Sequence, residues 1–132
     1  MQFVGSKSII LPEYVGAIHK LEKMMTRNPE VCLELAGHIH QPGALITDKS
    51  DHMFGLSIAR SLEIYEFLTD HDVSPDRLVA KGYSNTKMKY PRATTPSQMS
   101  ANRRVEAIIT DCDLVAKMVN DSVEDISVYR RR

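Results

Sequence analysis

The sequence predicts an α+β fold, in which helices pack on one face of a mixed four-stranded sheet. Segments with strand-like alternation and segments with helical spacing follow one another as strand, helix, strand, helix, strand, short helix and strand. At 132 residues the chain can bury one hydrophobic core without help from a metal. We predict one domain over residues 1–112 and an appended C-terminal helix or tail over residues 113–132.

The first half of the chain alternates between the two kinds of segment. Residues 3–11 give a short strand signal that ends at Pro12. A helix is predicted next and stops at Asn28-Pro29, because apolar side chains recur at intervals of four, three and four residues (Tyr14, Ile18, Leu21 and Met25). Alternating apolar residues then predict a strand over residues 31–36, and Gly37 lets the backbone leave the sheet.

The second half begins with a predicted loop over residues 41–50, which contains Pro42 and Gly43. Asp51 is placed to cap a helix that runs to about Asp70. Apolar residues nearly encircle this helix, so we expect it to be the most buried one. The remaining predicted elements are a strand over 78–83, a short helix over 97–104, a strand over 105–110 and a helix over 111–129.

The charge balance excludes some classes of partner. Lys plus Arg and Asp plus Glu each number 17, so no net field draws the chain to nucleic acid or to an anionic membrane. The run Arg130–Arg132 is interpreted as a solvated end. No stretch approaches the roughly 18 consecutive apolar residues of a membrane span. Any membrane attachment is therefore expected to come through a part of a longer protein that precedes Met1.

The cysteine and histidine residues raise the possibility of a disulfide and of a metal site. Cys32 lies in one apolar run and Cys112 just past another, so we expect two buried thiols rather than a disulfide. His38 and His40 lie two apart on a predicted strand and would share a face, so a zinc or copper site could use both imidazoles. No closely spaced cysteine or carboxylate completes a ligand set, so no metal is predicted.

Catalytic signals are weak. Ser57 is not in a Gly-x-Ser-x-Gly elbow, and no glycine-rich loop is present to cradle a phosphate. We therefore predict neither an enzyme nor a bound cofactor. Arg60 is more informative, because it lies on an otherwise apolar helix. Its guanidinium must either snorkel to solvent or meet an anion, and that anion is either a local carboxylate or the carboxylate of a ligand. Arg103 and Arg104 leave the same possibilities open.

Four segments together resemble a known family. They are Gly37-His38 at a strand end, Leu56-Ser57-Ile58-Ala59-Arg60 on the following helix, residues 73–82, and Asn102-Arg103-Arg104-Val105-Glu106. In this order, over residues 3–110, they resemble the OmpA-like (OmpA/MotB C-terminal) peptidoglycan-binding domains. The resemblance implies a βαβαβ(α)β sandwich that binds the meso-diaminopimelate of the peptidoglycan stem peptide without catalysis.

The resemblance also assigns expected ligand-binding residues. In the family an Asp holds the ligand's ammonium group, and an Arg on the next helix holds its carboxylate. Arg60 falls on that arginine, and Asn102 with Arg103 falls on the motif at the far side of the groove. The loop that wraps the ligand corresponds to four consecutive residues, Gly37, His38, Ile39 and His40.

Two positions depart from the family pattern. His40 stands where the family has Asp, and Met53 stands where it commonly has Asn. An imidazole cannot give an ammonium the ion pair that a carboxylate gives, and losing one charge-assisted hydrogen bond costs about 1.5–3 kcal/mol. Asp48 or Asp51 could substitute, or the domain could have lost this ligand or recognise another cell-wall group.

The resemblance predicts a peptidoglycan-binding module in the periplasm, attached to the outer membrane through the rest of its protein, for example a barrel or a lipid anchor. The alternative is an OmpA-like fold that has lost its ligand and serves as a protein-interaction or dimerisation domain through its last helix and arginine tail. A histidine-based metal site is the third and weakest hypothesis.

Overall fold

A mixed four-stranded sheet organises the chain, and the computed structural model describes residues 1–121 and 127–129. Its strands are β1 (Cys32–Gly37), β2 (Leu78–Gly82), β3 (Val105–Thr110) and β4 (Val128–Tyr129), in the order β3-β1-β2-β4. β1 runs parallel to β2 and antiparallel to β3, and β4 pairs antiparallel with β2. The predicted α+β class with a mixed four-stranded sheet is confirmed.

The described residues form four α-helices that connect or flank these strands: α1 (Val15–Arg27), α2 (His52–Asp70), α3 (Pro96–Asn102) and α4 (Cys112–Asp121). Short 3-10 turns precede α1 at Pro12–Tyr14 and β2 at Pro75–Arg77. The backbone N–H of Met53 donates to Oδ1 of Asp51 over 2.8 Å, which confirms the predicted cap of α2. Across the described ranges, no helix combines the length and apolarity that crossing a membrane requires.

The two faces of the sheet bury different helices. Side chains alternate along each strand, so Leu33 and Leu35 share one face while Cys32 faces the other way. The first face packs against α1 and α2, as predicted, with a core that includes Ile18, Met25, Ile64, Leu68, Leu78 and Ala80. The opposite face carries the additional helix α4 in a smaller cluster of Cys32, Val79, Val115 and Val128.

The predicted strand over residues 3–11 is wrong. This segment forms only two isolated bridges, Gln2 with Arg104 and Phe3 with Ile10. Between them the chain turns back at Gly5, whose φ is +25°, and the N–H of Val4 donates to the carbonyl of Ile9 over 2.8 Å. The polar residues 5–8 have no apolar face to bury in a sheet, so they form a turn instead.

The C-terminal segment departs from its prediction in part. The predicted helix over 111–129 is correct for α4 but wrong at Val128–Tyr129, which extends the sheet as β4. Residues 122–126 and Arg130–Arg132 lie outside the described residues. Val115 and Val128 are buried against the sheet. The division into residues 1–112 and an appended 113–132 stays a prediction.

Cys32 and Cys112 form a disulfide, so the expectation of two free thiols is wrong. Cys32 lies on the sheet face that α4 covers, and Cys112 is the first residue of α4. Their Cα atoms are 5.2 Å apart. The bond therefore ties the start of α4 to the start of β1, a proximity that depends on which face α4 occupies.

Candidate functional site

A cavity of about 320 Å³ opens where the loop after β1 meets the first half of α2. The turn at residues 5–8 and the residue that follows α3 complete its walls. Nine residues line it: Gly5, Ser6, Ile39, His40, Gln41, Met53, Leu56, Arg60 and Arg103. Two of the nine are arginines and none is an aspartate or glutamate, so the lining carries positive charge without a compensating carboxylate.

Close packing of α2 on the strand ends positions this cavity. A Cβ added to Gly37 would collide with the carbonyl oxygen of Ser57, and one added to Gly82 would lie 2.5 Å from Oγ of Ser57. Glycine is therefore required at the ends of both β1 and β2. The close approach brings Arg60, one turn beyond Ser57, against the loop that leaves β1.

Arg60 is fully buried, and backbone carbonyls rather than carboxylates surround it. Its Nε donates to the carbonyl of Lys7 over 3.0 Å, one terminal nitrogen donates to that of His38 over 2.9 Å, and the other donates to that of Gly5. In residues 1–121 and 127–129 no carboxylate pairs with this guanidinium. Three of its five N–H donors are used, which leaves one on each terminal nitrogen.

Burial is the main cause that lowers the pKa of Arg60, to about 10, and the charge of Arg103 adds to it. A pKa of about 10 still leaves the group protonated at neutral pH. The Phe3 ring also lies 5.6 Å from the guanidinium carbon and covers one side. The carbonyls thus hold a positive charge in place without neutralising it.

The two neighbouring arginines after α3 have different roles. Arg103 is half-buried at the cavity, and its side chain has no hydrogen-bond or ion-pair partner among the described residues. Arg104 instead pairs through Nε with Oε1 of Glu106 over 3.2 Å and donates to the carbonyl of Lys87 over 3.1 Å. Arg103 therefore lines the cavity, whereas Arg104 pairs with a local carboxylate; a ligand role for Arg103 stays a prediction.

Asn102 does not line the cavity but determines the protonation of His40. Its Oδ1 accepts from the N–H of Tyr90 over 2.8 Å, and its Nδ2 donates to the carbonyl of Tyr90 over 2.9 Å. Because an N–H can only donate and a carbonyl can only accept, these two bonds exclude the flipped amide. Nδ2 therefore also donates to Nδ1 of His40, 3.0 Å away.

His40 is consequently a neutral imidazole with its proton on Nε2, since Nδ1 must accept the bond from Asn102. Burial lowers the pKa of His40, and the charge of Arg103 lowers it further. The site thus presents a neutral donor at the position where the resemblance implies an anionic acceptor.

His38 lies outside the cavity, and β1 has already ended when the chain reaches it. The predicted sharing of a strand face by His38 and His40 is therefore wrong. The buried His38 ring stacks on Tyr83 with centroids 5.4 Å apart, and its Nε2 is 3.6 Å from Oε2 of Glu106. Burial, with a smaller contribution from Arg104, lowers the pKa of His38 to about 4. Nowhere in the described chain do three His, Cys, Asp or Glu residues gather as a metal site would need.

The two aspartates considered as substitutes for the family Asp are engaged elsewhere. Asp51 caps α2 through Met53. Oδ1 of Asp48 accepts from both the N–H and the hydroxyl of Ser50, over 2.9 and 2.7 Å. Both aspartates are exposed, and neither lines the cavity.

Asn85 fixes the loop that follows His40, a role that was not anticipated from the sequence. Its Nδ2 donates to the carbonyls of Gln41 and Ala44 over 2.8 and 3.0 Å, and its Oδ1 accepts from the N–H of Ile46 over 2.8 Å. One buried amide therefore holds the loop that follows His40. No spacing pattern distinguishes it from other loop asparagines.

Four of the seven expected ligand-binding residues line the cavity: Ile39, His40, Arg60 and Arg103. The other three, Gly37, His38 and Asn102, lie behind the cavity wall, where they pack or position those four. Four further lining residues were not expected from the sequence: Gly5, Ser6, Gln41 and Leu56. The Gly-Ser-Lys-Ser run at residues 5–8, which is typical of a turn, was the available signal for the first two.

No family model matches the chain, but sequence comparison finds a distant relative. Outer membrane porin F of Pseudomonas fluorescens is 28% identical over 109 residues, which cover 83% of this chain. Those residues cover 32% of the porin, so the chain spans about a third of its relative's length.

Solved structures give a closer match in shape than in sequence. The peptidoglycan-associated lipoprotein from Burkholderia pseudomallei superimposes with a TM-score of 0.71 at 14% identity, covering 83% of this chain and 87% of that one. The periplasmic domain of Helicobacter pylori MotB superimposes with a TM-score of 0.67 at 18% identity, covering 95% and 81%. A MotB-like protein from Desulfovibrio vulgaris reaches 0.66 at 20% identity, covering 83% and 69%. The chain therefore has the OmpA-like fold that its sequence resemblance predicts.

Proposed function

We propose that this domain is a non-catalytic module that binds peptidoglycan and anchors an envelope protein to the cell wall. The observation that carries the proposal is the cavity itself, in which Arg60 and Arg103 meet without a carboxylate. A protein that leaves two guanidinium groups unneutralised in a crevice is suited to an external anion. The shared fold with a peptidoglycan-associated lipoprotein supports the cell wall as the source of that anion.

The proposed ligand group is a carboxylate of the stem-peptide diaminopimelate. Each terminal nitrogen of Arg60 keeps one N–H, and two such donors match the two oxygens of a carboxylate. Arg103 contributes a second guanidinium to the same cavity, and the ring of His40 contributes a further polar group. Because Arg60 already holds three carbonyls, it is positioned before the ligand arrives.

The proposed location is the periplasm, with attachment to the outer membrane through the rest of the protein. The likeness to an outer membrane porin and to a periplasmic domain supports this location. The alternative, a domain that has lost its ligand and binds a protein partner, involves Arg130–Arg132, which lie outside the described residues.

Co-sedimentation with purified peptidoglycan sacculi tests the proposal. Arg103→Gln removes the exposed part of the positive charge while sparing the buried bonds of Arg60, and Arg92→Gln removes an exposed arginine away from the cavity. We expect the wild-type protein and Arg92→Gln to bind sacculi with the same affinity. The affinity of Arg103→Gln should be lower by a factor of about ten or more. A folded wild-type protein that stays in the supernatant would contradict the proposal.

A further inference from the structure

We propose that the cavity selects a carboxylate whose neighbouring nitrogen is uncharged, as in an N-acylated amino acid, over a free zwitterion. The inference rests on the proposed function and narrows its ligand. It concerns the group beside the carboxylate, whereas the resemblance alone implies an ammonium there.

The side chains that carry charge or a ring proton at this cavity are all hydrogen-bond donors. Arg60 offers its two remaining N–H groups, and the unpaired Arg103 offers its whole fork. Neither guanidinium can accept a hydrogen bond. His40 cannot accept one either, because Asn102 occupies Nδ1 and leaves the proton on Nε2. These three side chains therefore call for a ligand rich in acceptor oxygens.

An ammonium group would find no counter-charge in this cavity. None of the nine lining residues is acidic, and Asp48 and Asp51 are bound elsewhere. The polar side chains that remain, Ser6 and Gln41, are neutral. An ammonium would face two guanidinium groups of its own sign, whereas an amide nitrogen carries no charge to repel.

The apolar part of the lining suits an acyl substituent. Ile39, Met53 and Leu56 supply aliphatic surface beside the arginines. Met53 occupies the position where the resemblance leads one to expect an asparagine, so a polarisable thioether replaces a polar amide. Both departures from the family pattern, Met53 in place of Asn and His40 in place of Asp, therefore lie in this cavity.

Displacement from sacculi by soluble competitors tests the inference. The matched pair is diaminopimelate and its N,N′-diacetyl derivative, which share both carboxylates and differ in the charge on nitrogen. We expect the diacetyl compound to displace the wild-type protein at a concentration lower than that of free diaminopimelate by a factor of about ten or more. Inorganic phosphate, a third competitor, distinguishes a carboxylate site from a general anion site. Phosphate that competes better than the diacetyl compound would overturn the inference.

The variant His40→Asp provides the reciprocal test, because it restores an acceptor with a negative charge. We expect it to reverse the preference in favour of free diaminopimelate, while Arg92→Gln keeps the wild-type preference. If wild-type protein binds sacculi but prefers free diaminopimelate, or responds to neither compound, the inference fails and the proposed function stands. If wild-type protein does not bind sacculi at all, the proposed function fails, and the inference fails with it.

Discussion

Asn102 and His40 are 62 residues apart in sequence and joined by a hydrogen bond of 3.0 Å between Nδ2 and Nδ1. The same amide satisfies both backbone polar groups of Tyr90, so its orientation cannot reverse. One buried side chain therefore connects the end of α3, the loop after β2 and the loop after β1. It sets the tautomer of the cavity histidine without touching the cavity.

Replacing Asn102 by alanine is expected to lower the free energy of unfolding by about 1–3 kcal/mol, because the N–H and carbonyl of Tyr90 lose their partners. It should also release Nδ1 of His40, so that the ring samples both neutral tautomers. Urea denaturation measures the first effect, and the ¹⁵N shifts of the His40 ring measure the second. Unchanged ring shifts would show that Asn102 does not determine the tautomer.

The buried His38 is expected to make stability depend on pH below neutrality. Its pKa is about 4 in the folded protein, against 6.5 for the unperturbed side chain, so the unfolded chain takes up this proton first as the pH falls. Stability from this group is therefore fully present above about 6.5, is lost between 6.5 and about 4, and levels off below. The expected loss is about 3 kcal/mol across that interval, at about 1.4 kcal/mol per pH unit.

The variant His38→Phe keeps a ring beside Tyr83 and removes the titrating group. Unfolding measured at pH 7.5 reports its effect on packing alone. The difference between the variant and the wild type should then change between pH 6.5 and 4 in favour of the variant. A difference that stays constant over this range would exclude His38 as the cause.

A second arginine holds the fold together in the way that Arg60 holds the cavity. Arg77 donates from Nε to the carbonyl of Val31 over 2.9 Å, and from one terminal nitrogen to those of Met25 and Asn28 over 2.9 and 2.7 Å. It ties the end of α1 to the start of β2.

We expect Arg77→Met to lower the free energy of unfolding by about 2–3 kcal/mol, because three partly buried carbonyls lose a charged donor. Arg77→Lys should recover only part of the loss, since a single ammonium cannot reproduce the planar fork. The exposed Arg92→Met serves as the control and should change stability by less than about 0.5 kcal/mol. Chemical denaturation of the three variants gives the comparison, and equal values for Arg77→Met and Arg92→Met would contradict it.

The disulfide is expected to contribute about 2–4 kcal/mol, because it closes a loop with a sequence separation of 80 residues in the unfolded chain. Removing both cysteines, or adding a reductant to the wild-type protein, should lower the free energy of unfolding by a similar amount and therefore lower the denaturation midpoint. The reductant should have no effect on the double variant Cys32→Ala, Cys112→Ala. A wild-type midpoint that does not respond to reductant would show that the bond contributes little.

The sequence predicted most elements because their burial is periodic. α1, α2, β1 and β2 each present one apolar face or run to the core, and their predicted positions agree with the observed ones within a few residues. Residues 3–11 were misassigned because Phe3, which is buried in the core, and Ile10, which packs against the same core, flank a polar turn and do not belong to one continuous strand. The two-residue strand β4 is too short to show alternation at all.

The site was only partly predictable from the sequence. Its chemistry depends on where each side chain and carbonyl points, which the residue types alone do not determine. The resemblance located Arg60, but its three carbonyl partners come from segments 22 to 55 residues away in sequence. Arg103 and Arg104 are identical in type, and only the path of the chain after α3 separates them. The tautomer of His40 follows from the amide of Asn102, which no local pattern reveals.

The bond between Cys32 and Cys112 also bears on how the domain would respond to mechanical load. His40, Arg60, Asn102 and Arg103 all lie within the stretch of chain that this bond encloses. Tension applied along the backbone from the two ends would pass from β1 to α4 across the sulfur atoms, bypassing the intervening residues. The turn at residues 5–8, which lines the cavity and accepts from Arg60, lies outside the enclosed stretch, so tension at the start of the chain would reach that wall of the cavity before it reached the sulfur atoms.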